Sequence, residues 1–467
     1  KRIFGVLGMV DLSHATYLII ISNYTCTGQL PQGQIFTVTG IEILPVSSGP
    51  PIPEDEDEMR NVDDREYSTL RELFSSYQLF FSPDFDVAKS QQRLSFNCSQ
   101  NISDGFVWNF KILSNLNKGD PPKRFKSGSI LVPVVCGFCK IVTTKVKSQS
   151  CTLALISRRC RFRSGVRFFS RGVDENGYVS NFVVSEQILV SQGFTSSYEL
   201  IRGSIPLYWQ EREALVTLKP TPTLIQGPHD VAMKKHFAFL NANYGDIGVL
   251  NLIDHHGVEG EICKAYGKYM MKEMEENLKV VIYEPFDFHK HCGKSATGES
   301  REQITKLLKK IDSLCHNNVH LVQHEESQTA QVRMQQNSFF RVNCIDCLDR
   351  TNVLQAAIGK KVLLEQLQRH GLLGERDIDA CRYASQHGYD LPFPKLESSF
   401  REIWADMGDA ISHQYAGTGA LKGDFTRSGK RTMTGILADG FANVKRAVQN
   451  NFADVYKQRV IDYLQGN

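Results

Sequence analysis

Residues 341–352 read RVNCIDCLDRTN, and this run dictates its local fold more strictly than any other part of the chain. Cys344 stands six positions before Arg350, and Thr351 follows directly. Five intervening residues let the backbone curl until successive N–H groups point into one concavity, the size of a phosphate dianion. Such a loop works when a strand delivers the cysteine and a helix begins at the arginine, because the helix N-terminus then faces the same anion. The flanks supply both. Ser338 to Asn343 has the aromatic and β-branched content of a short strand, and Val353, Leu354, Ala357, Ile358, Val362 and Leu367 recur at helical spacing before Gly371.

The residue types specify the chemistry. A free thiol has a pKa of about 8.5, and inward-facing amides, a helix N-terminus and an arginine lower it to roughly 3.5–7.5. Cys344 then attacks phosphorus and forms a phosphocysteine, dividing one hard step into two. Arg350 grips two phosphoryl oxygens, which a lysine cannot do. The Thr351 hydroxyl is placed to hydrogen-bond the departing thiolate. Asn343, Ile345, Cys347 and Leu348 line the cradle. No metal or cofactor is required. Protonation of the leaving oxygen needs an acid, and Asp346 and Asp349 compete for that role; we favour Asp346, with the other carboxylate bracing Arg350 or the loop amides. Asp287 and His289 in FDFHK at 286–290 offer a second source of acid–base work, although a structural hydrogen bond is the simpler reading of them.

Composition narrows the partners. A formal charge of +3 over 467 residues is too small to imply nucleic acid. No apolar run approaches a membrane span, since Tyr17 to Ile21 is strand-length. The 12 cysteines are scattered, which favours reduced thiols in a cytosolic compartment. Cys136/Cys139 and Cys344/Cys347 are two C-x2-C pairs, too far apart in sequence for a zinc ribbon. The chain begins at Lys1 with no visible signal peptide and is expected to be a fragment or processed form.

Residues 1–45 are dense in strand formers, with apolar runs near 3–10, 17–22 and 35–44. A Pro- and Ser-rich stretch from Pro45 and the acidic run Glu54 to Glu58 predict a solvated insertion at 46–64. Helices are expected at 66–80 and 84–93, and short strands from about 106 to 190. The second half alternates strands (249–253, 280–283) with helices at 261–277, 300–315, 351–370, 396–415 and 436–465. Arg158, Arg159, Arg161, Arg163, Arg167 and Arg171 alternate with Phe162, Val166, Phe168 and Phe169, which predicts a strand with outward arginines. The fold class is α+β in two domains: a β-rich part at 1–185, then a catalytic part at 186–467 with a central mixed sheet flanked by helices.

With these residues in view, the chain resembles the Sac-domain phosphoinositide phosphatases. The likeness extends through LISRRCRFRSGVRFFSRGVDENGYVSNFVVSEQ at 155–187, RGSIPLYW at 202–209, FDFHK at 286–290 and YAGTGALKGDFTRSGKRT at 415–432. Myotubularin lipid phosphatases carry Asp at the same two loop offsets but Gly-Trp in place of Cys347-Leu348, which favours Sac. The resemblance implies a β-rich N-terminal Sac domain, a catalytic domain with a cysteine-phosphatase P-loop, and hydrolysis of monophosphorylated inositol lipids, chiefly the 4-phosphate. The last block is most like the branch anchored in endoplasmic reticulum and Golgi membranes, which implies action on their cytosolic face by a chain itself soluble, with any anchor lying beyond Asn467. Lys422, Arg427, Lys430 and Arg431 in that block supply a basic rim for a lipid headgroup. Expected partners are a phosphoinositide-containing membrane surface and trafficking proteins reached through the N-terminal domain. The alternatives are a phosphoprotein phosphatase and a catalytically silent lipid-binding trafficking adaptor.

Overall fold

The computed structural model describes residues 2–48, 57–96, 104–116, 129–212, 221–292, 298–324, 330–387, 391–420 and 453–466. Strands β1 (Gly5–Asp11), β2 (Ala15–Leu30) and β3 (Gly33–Ser48) form an antiparallel meander, followed by helix α1 (Asp57–Ser76) and strand β4 (Leu79–Phe81). Two short helices, α2 (Gln91–Ser95) and α3 (Phe110–Leu116), precede β5 (Val135–Val146), β6 (Gln149–Arg159), β7 (Val183–Ser191) and β8 (Phe194–Arg202). From β1 to β8 the strands lie side by side in chain order, each antiparallel to the next.

The second half begins with a separate ribbon of β9 (Trp209–Arg212) and β10 (Thr221–Leu224). It continues through α4 (His229–Tyr244), β11 (Asp246–Asn251), α5 (Gly260–Glu276), β12 (Val280–Pro285), α6 (Phe288–Cys292), α7 (Gly298–Lys310), α8 (Asp312–Cys315), β13 (His320–His324), β14 (Ala330–Met334) and β15 (Ser338–Asn343). Helices α9 (Asp349–Arg369), α10 (Glu375–His387), α11 (Pro394–Ala416) and α12 (Ala453–Gln465) follow. Strand β15 lies parallel to β8 and to β11, and β12 lies parallel to β11. The β13–β14 hairpin occupies the first half of the same β8 edge, with His320 opposite Ser197. At β8, therefore, the sheet changes from antiparallel to parallel. Among the parallel strands the order reverses between β11 and β15, whose following helices α5 and α9 cover opposite faces, and in open sheets such a switch point leaves a crevice beyond the carboxyl ends of the strands, where ligands bind. The register aligns those ends: Asn251 sits opposite Asn343 and Pro285, and Arg202 opposite Val342.

The core explains why these strands read as nearly continuous apolar runs. Leu153 and Leu155 of β6 face a cluster with Leu354, Ile358 and Val362 of α9 and Phe400, Ile403 and Trp404 of α11. Ala154 and Ile156 face the opposite cluster, with Phe237 and Leu240 of α4 and Ile262 and Tyr266 of α5. A sheet covered on both faces has no polar side, so period-two alternation disappears from its central strands. A third cluster joins Leu70 and Leu73 of α1 to Val460, Ile461 and Leu464 of α12. Among the described residues no helix is long and apolar enough to cross a membrane.

Several expectations shift. The division at 185/186 falls inside β7, which is paired along its length on both sides. The C-terminal α12 also packs with the N-terminal cluster, so the boundary is crossed by both sheet and core. Helix 66–80 is displaced to 57–76, beginning within the acidic run, and Leu79–Phe81 forms a strand between β3 and β5. Helix 84–93 shrinks to Gln91–Ser95. There Asp84 accepts the Gln34 amide at 2.8 Å and Asp86 the Ala88 amide at 3.1 Å, so each side chain supports a turn instead of a helical start. The helix expected at 436–465 is described only from 453, and residues 49–56 of the expected insertion lie outside the described residues.

Candidate active site

Strand β15 ends at Asn343, α9 begins at Asp349, and the loop between them opens at the switch point. Asn343 is fully buried. Its Oδ1 accepts Arg341 at 3.1 Å and its Nδ2 donates to Asn251 Oδ1 at 2.7 Å. Its side chain is thus occupied in tying strand ends together and does not line the cradle. Cys344 follows, 3% exposed. Burial pushes its thiol up, while the Arg350 guanidinium, the nearby Thr351 hydroxyl and the Leu348 amide pull it down and Asp346 opposes them; Thr351 Oγ1 itself is buried with no hydrogen-bond partner among the described residues. The net position is above that of an ordinary cysteine, not below it as the residue types alone suggest. Burial is the largest of these effects.

Arg350 sits on the first turn of α9, and four contacts meet it from the β11–α5 connection. Nη1 donates to Glu259 Oε2 (2.9 Å), Asp254 Oδ1 (3.2 Å) and the Leu252 carbonyl (3.2 Å), and Nη2 donates to Glu259 Oε1 (3.0 Å). Burial works against the charge, but Glu259, Cys344 and Asp254 more than offset it, so the pKa rises above the ordinary arginine value. Two carboxylates share this cation. The same contacts orient it. Glu259 takes the end of the fork, and none of the bonds involves Nε. Nε–H and the neighbouring Nη2–H form a second parallel pair of donors.

The loop backbone is gripped from the other side. Arg171 Nη2 and Arg167 Nε reach Asp346 Oδ1 at 2.7 and 3.0 Å, and Arg171 also donates to the Ile345 carbonyl at 3.2 Å and pairs with Glu211 at 2.8 Å. Asn181 Nδ2 donates to the Asp346 carbonyl at 3.1 Å. Arg158, Arg159 and Arg171 are 2%, 1% and 3% exposed, which corrects the picture of outward arginines. Beyond Arg159 the chain is a series of turns, and these side chains serve as internal donors to carbonyls and carboxylates, as when Arg159 reaches Gln414 and Gly165. Cys347, with φ 54°, turns its thiol to the Gly203 carbonyl at 2.9 Å, and burial pushes it up to about 12. Leu348 is buried in the core and Ile345 packs on the opposite cluster, so these two contribute backbone to the loop. Thr351 is fully buried against Cys344, and Asp349 is half-buried at the start of α9. Lys422, Arg427, Lys430 and Arg431 lie outside the described residues.

FDFHK proves less peripheral than expected. Asp287 accepts the His255 and Lys290 amides at 3.1 and 2.9 Å, and His289 Nδ1 meets Asp254 Oδ2 at 2.6 Å. Asp254 therefore links the exposed His289 to Arg350. The sequence reading missed Asp254, Glu259, Arg167, Arg171, Asn181 and Arg202. A signal for two of them existed: Asp254 directly follows the strand run Val249–Ile253 and Glu259 stands five positions further on in the same connection, where a parallel sheet presents its ligand-binding loops.

Arg202 closes β8 and is fully buried. Its Nη2 donates to Asn352 at 3.2 Å and Gln355 at 2.5 Å, while Nε and Nη1 find no hydrogen-bond partner among the described residues. Burial pulls its pKa down to about 10, against Cys347, Cys344 and Asp349. A buried cation short of acceptors gains most when an anion forms beside it. Arg202→Met is therefore expected to slow iodoacetamide alkylation of Cys344 several-fold at fixed pH, and Arg202→Lys to slow it less. Equal alkylation rates in all three proteins would rule out a role in stabilising the thiolate.

Residues 4–293 match the SacI homology domain. The Arabidopsis thaliana phosphoinositide phosphatase SAC7 is 35% identical over 100% of this chain and 75% of its own length. The Drosophila melanogaster phosphatidylinositol-3-phosphatase SAC1 is 34% identical with the same coverage. The Danio rerio phosphatidylinositide phosphatase SAC2 is 30% identical over 94% of this chain and 40% of its own length. A domain match across residues 4–293 of 467, together with identity along the full chain, establishes that the chain belongs to the SacI homology family.

Proposed function

We propose that the chain is a phosphoinositide phosphatase that removes a monoester phosphate from inositol lipids through a phosphocysteine on Cys344. The observation that carries this reading is the disposition of Arg350. Glu259 holds the end of its fork, leaving the Nε side as a second donor pair on a guanidinium near enough to Cys344 for its charge to pull the thiol down. Cys344 Sγ attacks phosphorus, the inositol oxygen departs with a proton, and water later releases phosphate and restores the thiol. The Thr351 hydroxyl and the Leu348 amide stabilise the sulfur as it leaves. The 4-phosphate is the expected main substrate and the 3-phosphate a second one, the latter favoured by the name of the Drosophila relative. The likeness of residues 415–432 to the anchored branch supports work at the cytosolic face of endoplasmic reticulum and Golgi membranes, with trafficking proteins as further partners.

The contacts of Asp346 argue for reversing the order of the two loop carboxylates. Asp346 is the counter-ion of Arg167 and Arg171, both of which bind its Oδ1. Its role is to hold the loop, and the proton falls to Asp349. A general acid works while protonated, so its loss removes the decline of kcat/KM on the alkaline side of the profile. Asp349→Asn is expected to flatten that limb. Asp346→Asn is expected to lower kcat by about tenfold at every pH and leave the profile shape intact. The opposite pattern returns the acid role to Asp346.

The deciding experiment measures phosphate release from each of the seven phosphoinositides and from phosphotyrosine peptides. Release from monophosphorylated lipids that is insensitive to EDTA and blocked by vanadate is the expected result. Comparable peptide turnover would favour a phosphoprotein phosphatase. Lipid binding with no release from any substrate would leave a silent adaptor.

A further inference from the structure

Two exposed apolar side chains flank the catalytic loop, each at the tip of a turn fixed to that loop at both ends. In the turn 254–259, Asp254 and Glu259 both bind Arg350, and between them Val258 is 62% exposed. Gly257 beside it has φ 70° and would carry a Cβ into open space. In the turn 167–171, Arg167 and Arg171 both bind Asp346 Oδ1, and between them Phe169 is 50% exposed. That turn is rigid: the Phe169 and Ser170 amides both donate to the Val166 carbonyl, and the Arg167 amide donates to Tyr415. His256, His289 and Lys290 are exposed around the same mouth.

We propose that Val258 and Phe169 are paired membrane anchors that insert into the lipid surface on either side of the catalytic mouth. The inference rests on the lipid substrate proposed above. A phosphoinositide keeps its acyl chains in the bilayer while its phosphate must reach Cys344, so whatever surrounds the mouth faces the bilayer at headgroup depth. Apolar tips there exchange water for the acyl boundary, and the polar His256, His289 and Lys290 remain among the headgroups. Because both turns are pinned to loop residues, insertion also sets the height of the loop above the membrane. Exposure alone is not the criterion. Leu278 is 89% exposed, but it precedes β12 and so lies at the amino ends of the parallel strands, away from the mouth.

The test uses the whole chain and vesicles of phosphatidylcholine with a minor fraction of phosphatidylinositol 4-phosphate. The double variant Val258→Gln, Phe169→Gln is expected to partition onto vesicles about tenfold less than the parent. Its turnover of the soluble dioctanoyl lipid should stay within about twofold of the parent, and Leu278→Gln should bind vesicles as the parent does. Equal partitioning of parent and double variant overturns the proposal. Absence of dioctanoyl turnover in the parent counts against the phosphatase reading and leaves the partitioning result to be judged separately. Should the double variant lose dioctanoyl turnover as well, Val258→Trp decides: a blue shift of its emission on vesicles supports insertion, and unchanged emission overturns it.

Discussion

Cys344→Ser is expected to abolish phosphate release, with a loss on the order of 10⁴-fold or more in kcat. Serine nearly matches cysteine in size, so the side chain at the end of β15 keeps its place and the fold is undisturbed. The hydroxyl is a far weaker acid than a thiol, and nothing around it compensates. Arg350 shares its charge with Glu259 and Asp254, and Thr351 and Leu348 supply a hydroxyl and an amide. Those donors support an anion that forms readily on sulfur, not on a serine oxygen. In the proposed mechanism substrate binding rests on the loop amides and Arg350, which the substitution leaves alone, so dissociation constants for short-chain lipids should stay within about threefold of the parent. The parent carries a related expectation. Since burial places the Cys344 thiol above an ordinary cysteine, alkylation of the free protein should rise with pH and reach its midpoint above that of free cysteine. A few per cent of parental turnover surviving in Cys344→Ser would end the phosphocysteine mechanism.

The legible part of this site is the part made of neighbours in sequence. Strand Ser338–Asn343, the loop and helix Asp349–Arg369 follow from twelve consecutive residues and their flanks, because pattern and spacing there reflect local geometry. What surrounds the loop was hidden for a different reason. Arg171 reaches Asp346 across 175 positions and Glu259 reaches Arg350 across 91, and no local pattern encodes such a meeting. The arginine-rich stretch was also misleading in itself. Alternating Arg and Phe has the period of an exposed strand, whereas Cys160–Ser170 forms turns whose guanidiniums point inward and replace missing ladder bonds. The domain boundary failed to show for a related reason. β7 and β8 form a hairpin at the centre of one sheet, so the change from antiparallel to parallel pairing occurs across a strand and not at a linker.

Replacing Arg350 by lysine is expected to cost about 10³-fold in kcat/KM, the second largest effect at this site. The structure asks this one side chain to do two jobs at once. One edge of its fork satisfies Glu259 at 2.9 and 3.0 Å, with Nη1 also serving Asp254 and Leu252. In the proposed mechanism the Nε edge is the pair that meets the phosphoryl oxygens. An ammonium group is a point charge with three donors, and Glu259 and Asp254 would claim it first. The transition state loses a pre-aligned pair of hydrogen bonds, so the deficit should fall mainly on kcat, with a smaller rise in KM. Glu259 and Asp254 would also lose donors in a largely enclosed place, lowering stability by about 1–3 kcal/mol. Glu259→Gln separates the two jobs: it keeps the shape and one acceptor but drops the charge, and about tenfold in kcat/KM is expected. Steady-state kinetics on a dioctanoyl phosphoinositide and thermal denaturation of each protein supply the numbers. Arg350→Lys retaining a third of parental kcat would mean that the Nε edge does not meet the phosphate.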